Sequence, residues 1–318
     1  MPDCAKKILS FDGGGIRGVI SIIFLQALEK ETNVSLSAAA DVLTGTSTGS
    51  ITAGSLAVGF TPGELIEFYL KCGQDIFTPS SFLADHSPLR PKYSSQGLHQ
   101  TLETVYQARG VDPQITLDQI DKKIIIPAVN LNQKATSQWQ LELLHNLTLP
   151  SSPLKLIDAI MRSTAAPSYF PSYQNYIDGG IGANDPSAPA YALYQSHLPA
   201  PTPPVYLLSF GTGYTSHFIP KGEDWGSFSW VIDVFSKKEA TTTPLLSVIF
   251  DVQQELSTEL SKLLLGDCFH RIDLPLTKPI KLDDASQISK LIQMTQDFIA
   301  ANQSLWNQAC AFVEKNFS

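Results

Sequence analysis

Ser47 lies at the centre of Gly45-Thr46-Ser47-Thr48-Gly49, a segment that matches the pattern G-x-S-x-G. A serine in this pattern stands at a sharp turn between a strand and a helix, where its hydroxyl is exposed and can act as a nucleophile. The flanking glycines leave room for the turn, and the positive end of the following helix favours negative charge beside the serine. The pattern predicts nucleophilic catalysis by Ser47, with an ordinary strand-to-helix connection as the alternative.

A second glycine-rich segment, Asp12-Gly13-Gly14-Gly15-Ile16-Arg17-Gly18, follows an apolar run at residues 6–11. Successive glycines let backbone N–H groups point into a cavity without obstruction by a Cβ atom. A parallel sheet would bring the carboxyl ends of the first two strands together. We therefore expect Gly13, Gly14 and Gly15 to form an oxyanion hole next to Ser47. Arg17 either favours a phosphate or other negative charge there or forms a structural ion pair with a carboxylate.

The same segment also satisfies the dinucleotide-binding pattern G-x-G-x-x-G through Gly13, Gly15 and Gly18. That kind of site needs an acidic residue at the end of the second strand, where it binds the ribose. Here the second strand runs into Ser47, and Asp41 lies at its beginning. The sequence therefore disfavours dinucleotide binding.

The elements that must position these residues alternate along the chain. Apolar and β-branched runs predict strands at residues 6–11, 40–44, 123–129, 138–145, 205–210 and 269–274. Helices are predicted at residues 19–31, 50–58, 64–74, 98–108, 154–163 and 245–265. This alternation indicates an α/β fold, a single three-layer domain whose central, mostly parallel sheet is flanked by helices. We expect that domain to span residues 1–318, with its core over 6–291 and a closing helix over 292–318.

The composition excludes some classes of partner. The chain has 22 basic and 30 acidic residues and a net charge of −8, so we expect no nucleic-acid binding, which needs a basic surface. Four scattered cysteines indicate reduced thiols, and the beginning of the chain lacks the pattern of a Sec-type signal peptide. We expect a cytoplasmic or peripheral membrane protein, while export by a non-classical route stays open.

A candidate base follows in Asp178-Gly179-Gly180, although an acid before two glycines is by itself often a turn residue. Taken with the two earlier motifs, this segment resembles the patatin-like phospholipases. Proteins of that family carry Asp-Gly-Gly-Gly-x-Arg/Lys-Gly, then G-x-S-x-G, then Asp-Gly-Gly/Ala, and all three occur here in that order. The segments at residues 163–171, 208–213 and 283–286 are also similar to members of the family.

The resemblance implies a lipid acyl hydrolase with a Ser47–Asp178 dyad, an acyl-enzyme intermediate, and neither metal nor cofactor. Its expected substrate is a phospholipid or lysophospholipid, met through transient contact with a membrane surface; the need for a protein activator stays open. A carboxylate at its reference pKa of about 3.9 is a weak base for a hydroxyl. The site must therefore raise the basicity of Asp178 by burial or stabilise the oxyanion strongly.

Two other interpretations stay open at this stage. A Ser-His-Asp triad would need a histidine after Asp178, and the candidates are His197, His217 and His270. The second interpretation is a protein without catalytic activity that docks on membranes or on other proteins. Apolar residues in two long loops could form a lid or membrane contact, or else pack inside: Phe82, Leu83, Leu89, Trp225, Phe228 and Trp230.

Overall fold

The structure is a computed structural model that describes residues 5–77, 90–133, 138–148, 153–215, 226, 230 and 244–318. Within these residues the chain forms a seven-stranded sheet in the order β4-β3-β2-β1-β6-β7, with β5 paired to β3. The strands are β1 (Lys6–Phe11), β2 (Val42–Gly45), β3 (Lys123–Gln133), β4 (Gln138–His145), β5 (Tyr176–Asp178), β6 (Val205–Phe210) and β7 (Phe269–Ile272). β1, β2, β3, β6 and β7 run parallel, whereas β4 and β5 pair antiparallel to β3.

Helices cover the sheet and lie largely where the sequence predicts them. They are α1 (Gly18–Thr32), α2 (Leu36–Ala39), α3 (Thr48–Ala57), α4 (Pro62–Ile76), α5 (Ser95–Ala108), α6 (Leu156–Ser163), α7 (Gly180–Ala183), α8 (Ser187–Ser196), α9 (Pro244–Leu265), α10 (Ile288–Ala301) and α11 (Gln303–Asn316). The prediction of an α/β fold with a mostly parallel central sheet is confirmed. No helix among the described residues is long and apolar enough to cross a bilayer.

The segment at residues 292–318, where closing helical structure is predicted, contains a break. The chain forms two helices there, α10 and α11, with a break at Asn302. The side-chain amide of Asn302 donates to the carbonyl of Phe298, and its own carbonyl accepts the amide of Trp306 at 3.0 Å. One residue thus ends the first helix and begins the second.

The central strands are buried on both faces, as apolar runs in a parallel sheet usually are. In β1, Ile8, Leu9 and Phe11 are fully buried, and the ring of Phe11 stacks on that of Phe210 in the neighbouring strand, with centroids 5.2 Å apart. Phe11 also pairs with Gly45 across β1 and β2. The carboxyl ends of these two strands therefore lie side by side, as predicted, and the glycine-rich segment and Ser47 follow them directly.

Candidate active site

Ser47 stands at the turn between β2 and α3 with φ 53° and ψ −122°, a backbone conformation that residues with a side chain rarely adopt. Its amide donates to the hydroxyl oxygen of Ser163 at 2.9 Å, and its carbonyl accepts the hydroxyl of Ser50 at 2.6 Å. A Cβ atom at Gly49 would overlap the carbonyl of Phe11, so only glycine allows α3 to begin this close to β1. The turn that the sequence predicts is thus held from both sides.

Asp178 is the last residue of β5 and is 1% exposed. Its Oδ1 atom accepts the amide of Gly180 at 2.7 Å, while Oδ2 is buried and has no hydrogen-bond partner of good geometry among the described residues. Burial raises the pKa of Asp178 to about 7, and interactions with the Ser47 side chain and the Gly180 amide oppose that rise. The carboxyl therefore has the basicity that a dyad without histidine requires.

Ser47 and Asp178 line one cavity of about 730 Å³, measured with its open mouth. Most of the remaining wall is apolar, with Ile51, Phe68, Ile76, Phe77, Leu98, Phe170, Phe250 and Leu282 among its residues. The cavity thus combines one hydroxyl and one carboxyl with a surface that suits a hydrocarbon chain.

The glycine loop only partly matches the predicted oxyanion hole. Gly14 and Gly15 line the cavity, and their amides have no recorded acceptor among the described residues. The prediction for Gly13 is wrong. Its amide donates to the carbonyl of Asn184 at 3.0 Å and therefore cannot donate to an oxyanion in the cavity. The amide of Thr48, at the start of α3, is a further candidate donor because Thr48 also lines the cavity.

Asp12 is a predicted residue of the motif, but the side chains that contact it and the glycine loop were not identified from the sequence. Asp12 is fully buried and accepts hydrogen bonds from Arg271 at 3.2 and 2.6 Å. Arg271 also donates to Asp273 at 2.7 Å, and burial raises the pKa of Asp12 against the attraction of Arg271. The hydroxyl of Thr212 donates to the carbonyl of Gly13 at 2.7 Å. Thr212 lies in a segment of family resemblance, whereas no local signal marks Arg271.

The other residues of the predicted motifs have structural surroundings. Gly18 packs so closely on α3 that a Cβ atom would overlap the side chains of Thr48 and Tyr69. Gly179 approaches the carbonyl of Pro127 in the same way, and its amide donates to Ser163 at 3.2 Å. These glycines set distances between elements.

Arg17 is the one predicted cation near the loop. Burial lowers its pKa, with Asp251 the strongest opposing charge, and its Nε atom has no hydrogen-bond partner among the described residues. Arg17 forms no ion pair within the described residues. Its predicted roles, a site for negative charge or a structural ion pair, stay predictions.

The residues of the competing interpretations lie elsewhere. The Nδ1 atom of His197 donates to the carbonyl of Leu193 at 2.8 Å, and the ring of His270 stacks on that of Phe312; neither histidine lines the cavity. Asp41 accepts a hydrogen bond from the amide of Lys7 at the amino ends of β1 and β2, whereas the glycine loop follows the carboxyl end of β1. Some residues of these interpretations are outside the part of the chain that the structure describes: His217 and the predicted lid residues Phe82, Leu83, Leu89, Trp225 and Phe228.

Comparison with known proteins agrees with these motifs. A sequence model described as patatin-like phospholipase matches residues 9–191, which include the glycine loop, the Ser47 turn and Asp178. The chain belongs to the patatin-like phospholipase family. The predicted resemblance is thereby confirmed, and family membership supports lipid hydrolysis as the general activity.

Three relatives show how far this patatin-like phospholipase resembles others. It is 28% identical to protein teg of Priestia megaterium over 98% of this chain and 99% of that protein. It is 29% identical to patatin-like protein 4 of Arabidopsis thaliana, over 89% and 80%. It is 31% identical to a cGAMP-activated phospholipase of Escherichia coli, over 65% and 62%.

Proposed function

We propose that this patatin-like phospholipase cleaves fatty-acyl esters of phospholipids or lysophospholipids through a Ser47–Asp178 dyad. One observation carries the proposal: a hydroxyl at a strained turn and a buried carboxyl with a pKa raised to about 7 share a single apolar cavity. Family membership supplies the general class of reaction, and the apolar wall favours an acyl chain as the part of the substrate that enters.

The proposed reaction has two halves. In the first, Asp178 accepts the Ser47 proton as Oγ attacks the ester carbonyl carbon, and the alcohol leaves with that proton as an acyl-enzyme forms. In the second, a water molecule gives a proton to Asp178 and attacks the acyl carbon. The bond between that carbon and Oγ breaks, Asp178 returns the proton to Oγ, and the fatty acid leaves. Negative charge on the carbonyl oxygen in both halves is stabilised by the amides of Gly14 and Gly15, with the Thr48 amide as a third donor.

The proposed setting is a membrane surface, because the proposed substrate is a lipid; cytoplasmic or peripheral membrane localisation stays part of the proposal. The proposed reaction uses no metal; among the described residues no group of three or more His, Cys, Asp or Glu side chains is placed to hold one. The relative from Escherichia coli is a cGAMP-activated phospholipase. Activity assays therefore include an arm with that cyclic dinucleotide.

The test is release of fatty acid from phosphatidylcholine and lysophosphatidylcholine by purified protein. We expect Ser47→Ala and Asp178→Asn each to lower turnover by a factor of about 10³ or more, since each removes one member of a two-residue unit. The exposed positions Ser196→Ala and Asp118→Asn are matched controls and should keep full turnover. We expect chelator and His217→Ala to have little effect. Undiminished turnover in Ser47→Ala would refute the dyad.

A further inference from the structure

Helix α9 faces the body of the protein with polar side chains. Gln254 accepts a hydrogen bond from Asn184 at 3.1 Å, and Thr258 donates to the buried carboxylate of Asp185 at 2.9 Å. Ser257 and Ser261, on the same side, are 6% and 0% exposed. A helix on a protein surface normally buries its apolar side, so α9 is reversed.

The opposite side of α9 presents apolar side chains to solvent. Residues 245, 252, 256 and 263 fall on one line along a helix of 3.6 residues per turn, and their neighbours widen it. This outer stripe consists of Leu245, Val248, Val252, Leu256, Leu260, Leu263 and Leu264, which are between 37% and 81% exposed. A contiguous apolar surface of this kind marks a site of interaction.

The inward side of α9 also reaches the candidate cavity, through Phe250. This residue of α9 lines the cavity together with Ser47 and Asp178. Its ring also packs against Gly180, where a Cβ atom would come within 3.0 Å of it. Helix α9 therefore contributes one residue to the cavity wall and carries the exposed apolar stripe on its outer side.

Trp139 is a further exposed apolar side chain, and it lies near the end of the sheet at which Asp178 is found. Ala128 in β3 pairs with both Glu142 and Asp178, and Trp139 lies three residues before Glu142 in β4. At about 3.3 Å per residue, Trp139 is about 10 Å beyond Asp178 along the strand direction. Its side chain is 81% exposed. Tryptophan is the residue most typical of the boundary between membrane and water.

The charges on α9 favour a lipid surface over a second copy of the chain. Glu255 and Glu259 are exposed along the side of the stripe, and Lys262 is paired with Glu259 at 2.6 Å. Two copies packed through this side would bring their glutamates together, which costs free energy. The headgroups of a zwitterionic membrane instead offer cationic amines to these carboxylates, and the acyl region accepts the leucines and valines.

We propose that the outer stripe of α9, with Trp139, docks on a zwitterionic phospholipid surface and thereby brings lipid to the mouth of the cavity. This docking rests on the proposed lipid hydrolysis for its purpose, but it is a separate property of the molecule. A helix whose polar side is hydrogen-bonded to the protein body can insert its apolar side into the interface without unfolding from that body.

Co-flotation with vesicles of non-hydrolysable diether phosphatidylcholine tests the docking directly. We expect Val252→Asp/Leu256→Asp to lower the vesicle partition coefficient at least tenfold, and Trp139→Ala to lower it several-fold. Leu305→Asp is the matched control, since Leu305 is 56% exposed on α11, and it should bind as the unaltered protein does. Val252→Ser/Leu256→Ser is a milder replacement of the same residues. It should also bind vesicles less well, and an unchanged circular dichroism spectrum shows that it is folded.

Hydrolysis assays separate docking from catalysis. The aspartate variant should lose at least tenfold in rate on diacyl phosphatidylcholine vesicles and keep its rate on soluble p-nitrophenyl butyrate within twofold. Unchanged flotation of the variant would overturn the proposal, as would light scattering that shows a dimer which the variant dissociates. Stripe-dependent flotation without hydrolysis of either ester would leave the docking standing and refute the proposed function.

Discussion

Arg271 donates two hydrogen bonds to the carboxylate of Asp12, which immediately precedes the glycine loop of the candidate active site. A third hydrogen bond joins it to Asp273, whose Oδ1 atom accepts the amide of Gly213 at 2.8 Å. The guanidinium is thus shared between the residue that begins the glycine loop and the residue that orders the loop after β6. One cation fixes two segments that are distant in the chain.

Replacement of Arg271 should therefore destabilise the folded protein strongly. We expect Arg271→Met to lower the free energy of unfolding by about 3–5 kcal/mol, because it leaves Asp12 buried without its charge partner. Urea unfolding measures the change. Arg109→Met is the control, since the pair between Arg109 and Glu64 is over a third exposed and should contribute less than about 1 kcal/mol. Equal losses in the two variants would contradict this role for Arg271.

The backbone of Ser47 predicts a trade between stability and activity. Its positive φ costs about 1–3 kcal/mol for a residue with a Cβ atom, and glycine avoids most of that cost. We expect both Ser47→Gly and Ser47→Ala to be inactive, with the glycine variant more stable by about 1 kcal/mol in urea unfolding. A less stable glycine variant would show that the turn is not strained.

Much of this fold is predictable because its signals are local. The apolar run of β6 at residues 205–210 and the small residues around Ser47 each specify an element within a few positions. The partners of the loop are not predictable in this way. The acceptor of the Gly13 amide is the carbonyl of Asn184, and a lone arginine in β7 carries no sign that it will meet Asp12.

Helix α9 shows the same limit. The sequence predicts a helix at residues 245–265, and the structure has that helix over Pro244–Leu265. Which side turns inward depends on Asp185 and Asn184, which supply hydrogen-bond partners for Thr258 and Gln254. Only the assembled structure shows that the polar side is the buried one.

Replacement of Gly15 should lower turnover. Its φ is +57°, and a Cβ atom there would overlap the carbonyl of Leu282, so Gly15→Ala must displace the loop. If the amide of Gly15 holds the oxyanion, we expect kcat on a soluble ester to fall by a factor of about 10² or more. Gly63→Ala, where the added Cβ meets only ordinary contacts, should leave kcat unchanged. Comparable kcat in the two variants would exclude the loop from catalysis.

The raised pKa of Asp178 predicts how the rate depends on pH. A general base must be deprotonated, so kcat/KM should rise about tenfold per unit up to a pH of about 7 and level off above it. A pH profile on an ester without titratable groups measures this. A profile that levels off near pH 4 would contradict the burial of the reacting carboxyl.

The same group predicts how stability depends on pH. The folded pKa of Asp178 is raised to about 7, above the unfolded value, so between pH 4 and 7 the folded state holds a proton that the unfolded state has lost. Stability from this group is therefore lost as pH rises through that window, by about 4 kcal/mol in total. We expect Asp178→Asn to gain stability over the unaltered protein from pH 5 to pH 8. The exposed Asp118→Asn should show no such gain, and a pH-independent difference for Asp178→Asn would contradict the shift.

The most direct test of the dyad is covalent labelling by a fluorophosphonate, read by intact-protein mass and peptide mapping. The account predicts a single adduct on Ser47, formed at a rate that rises with pH up to about 7 and that falls at least a hundredfold in Asp178→Asn. Labelling of another residue, or labelling of Ser47 at an equal rate in Asp178→Asn, would contradict it.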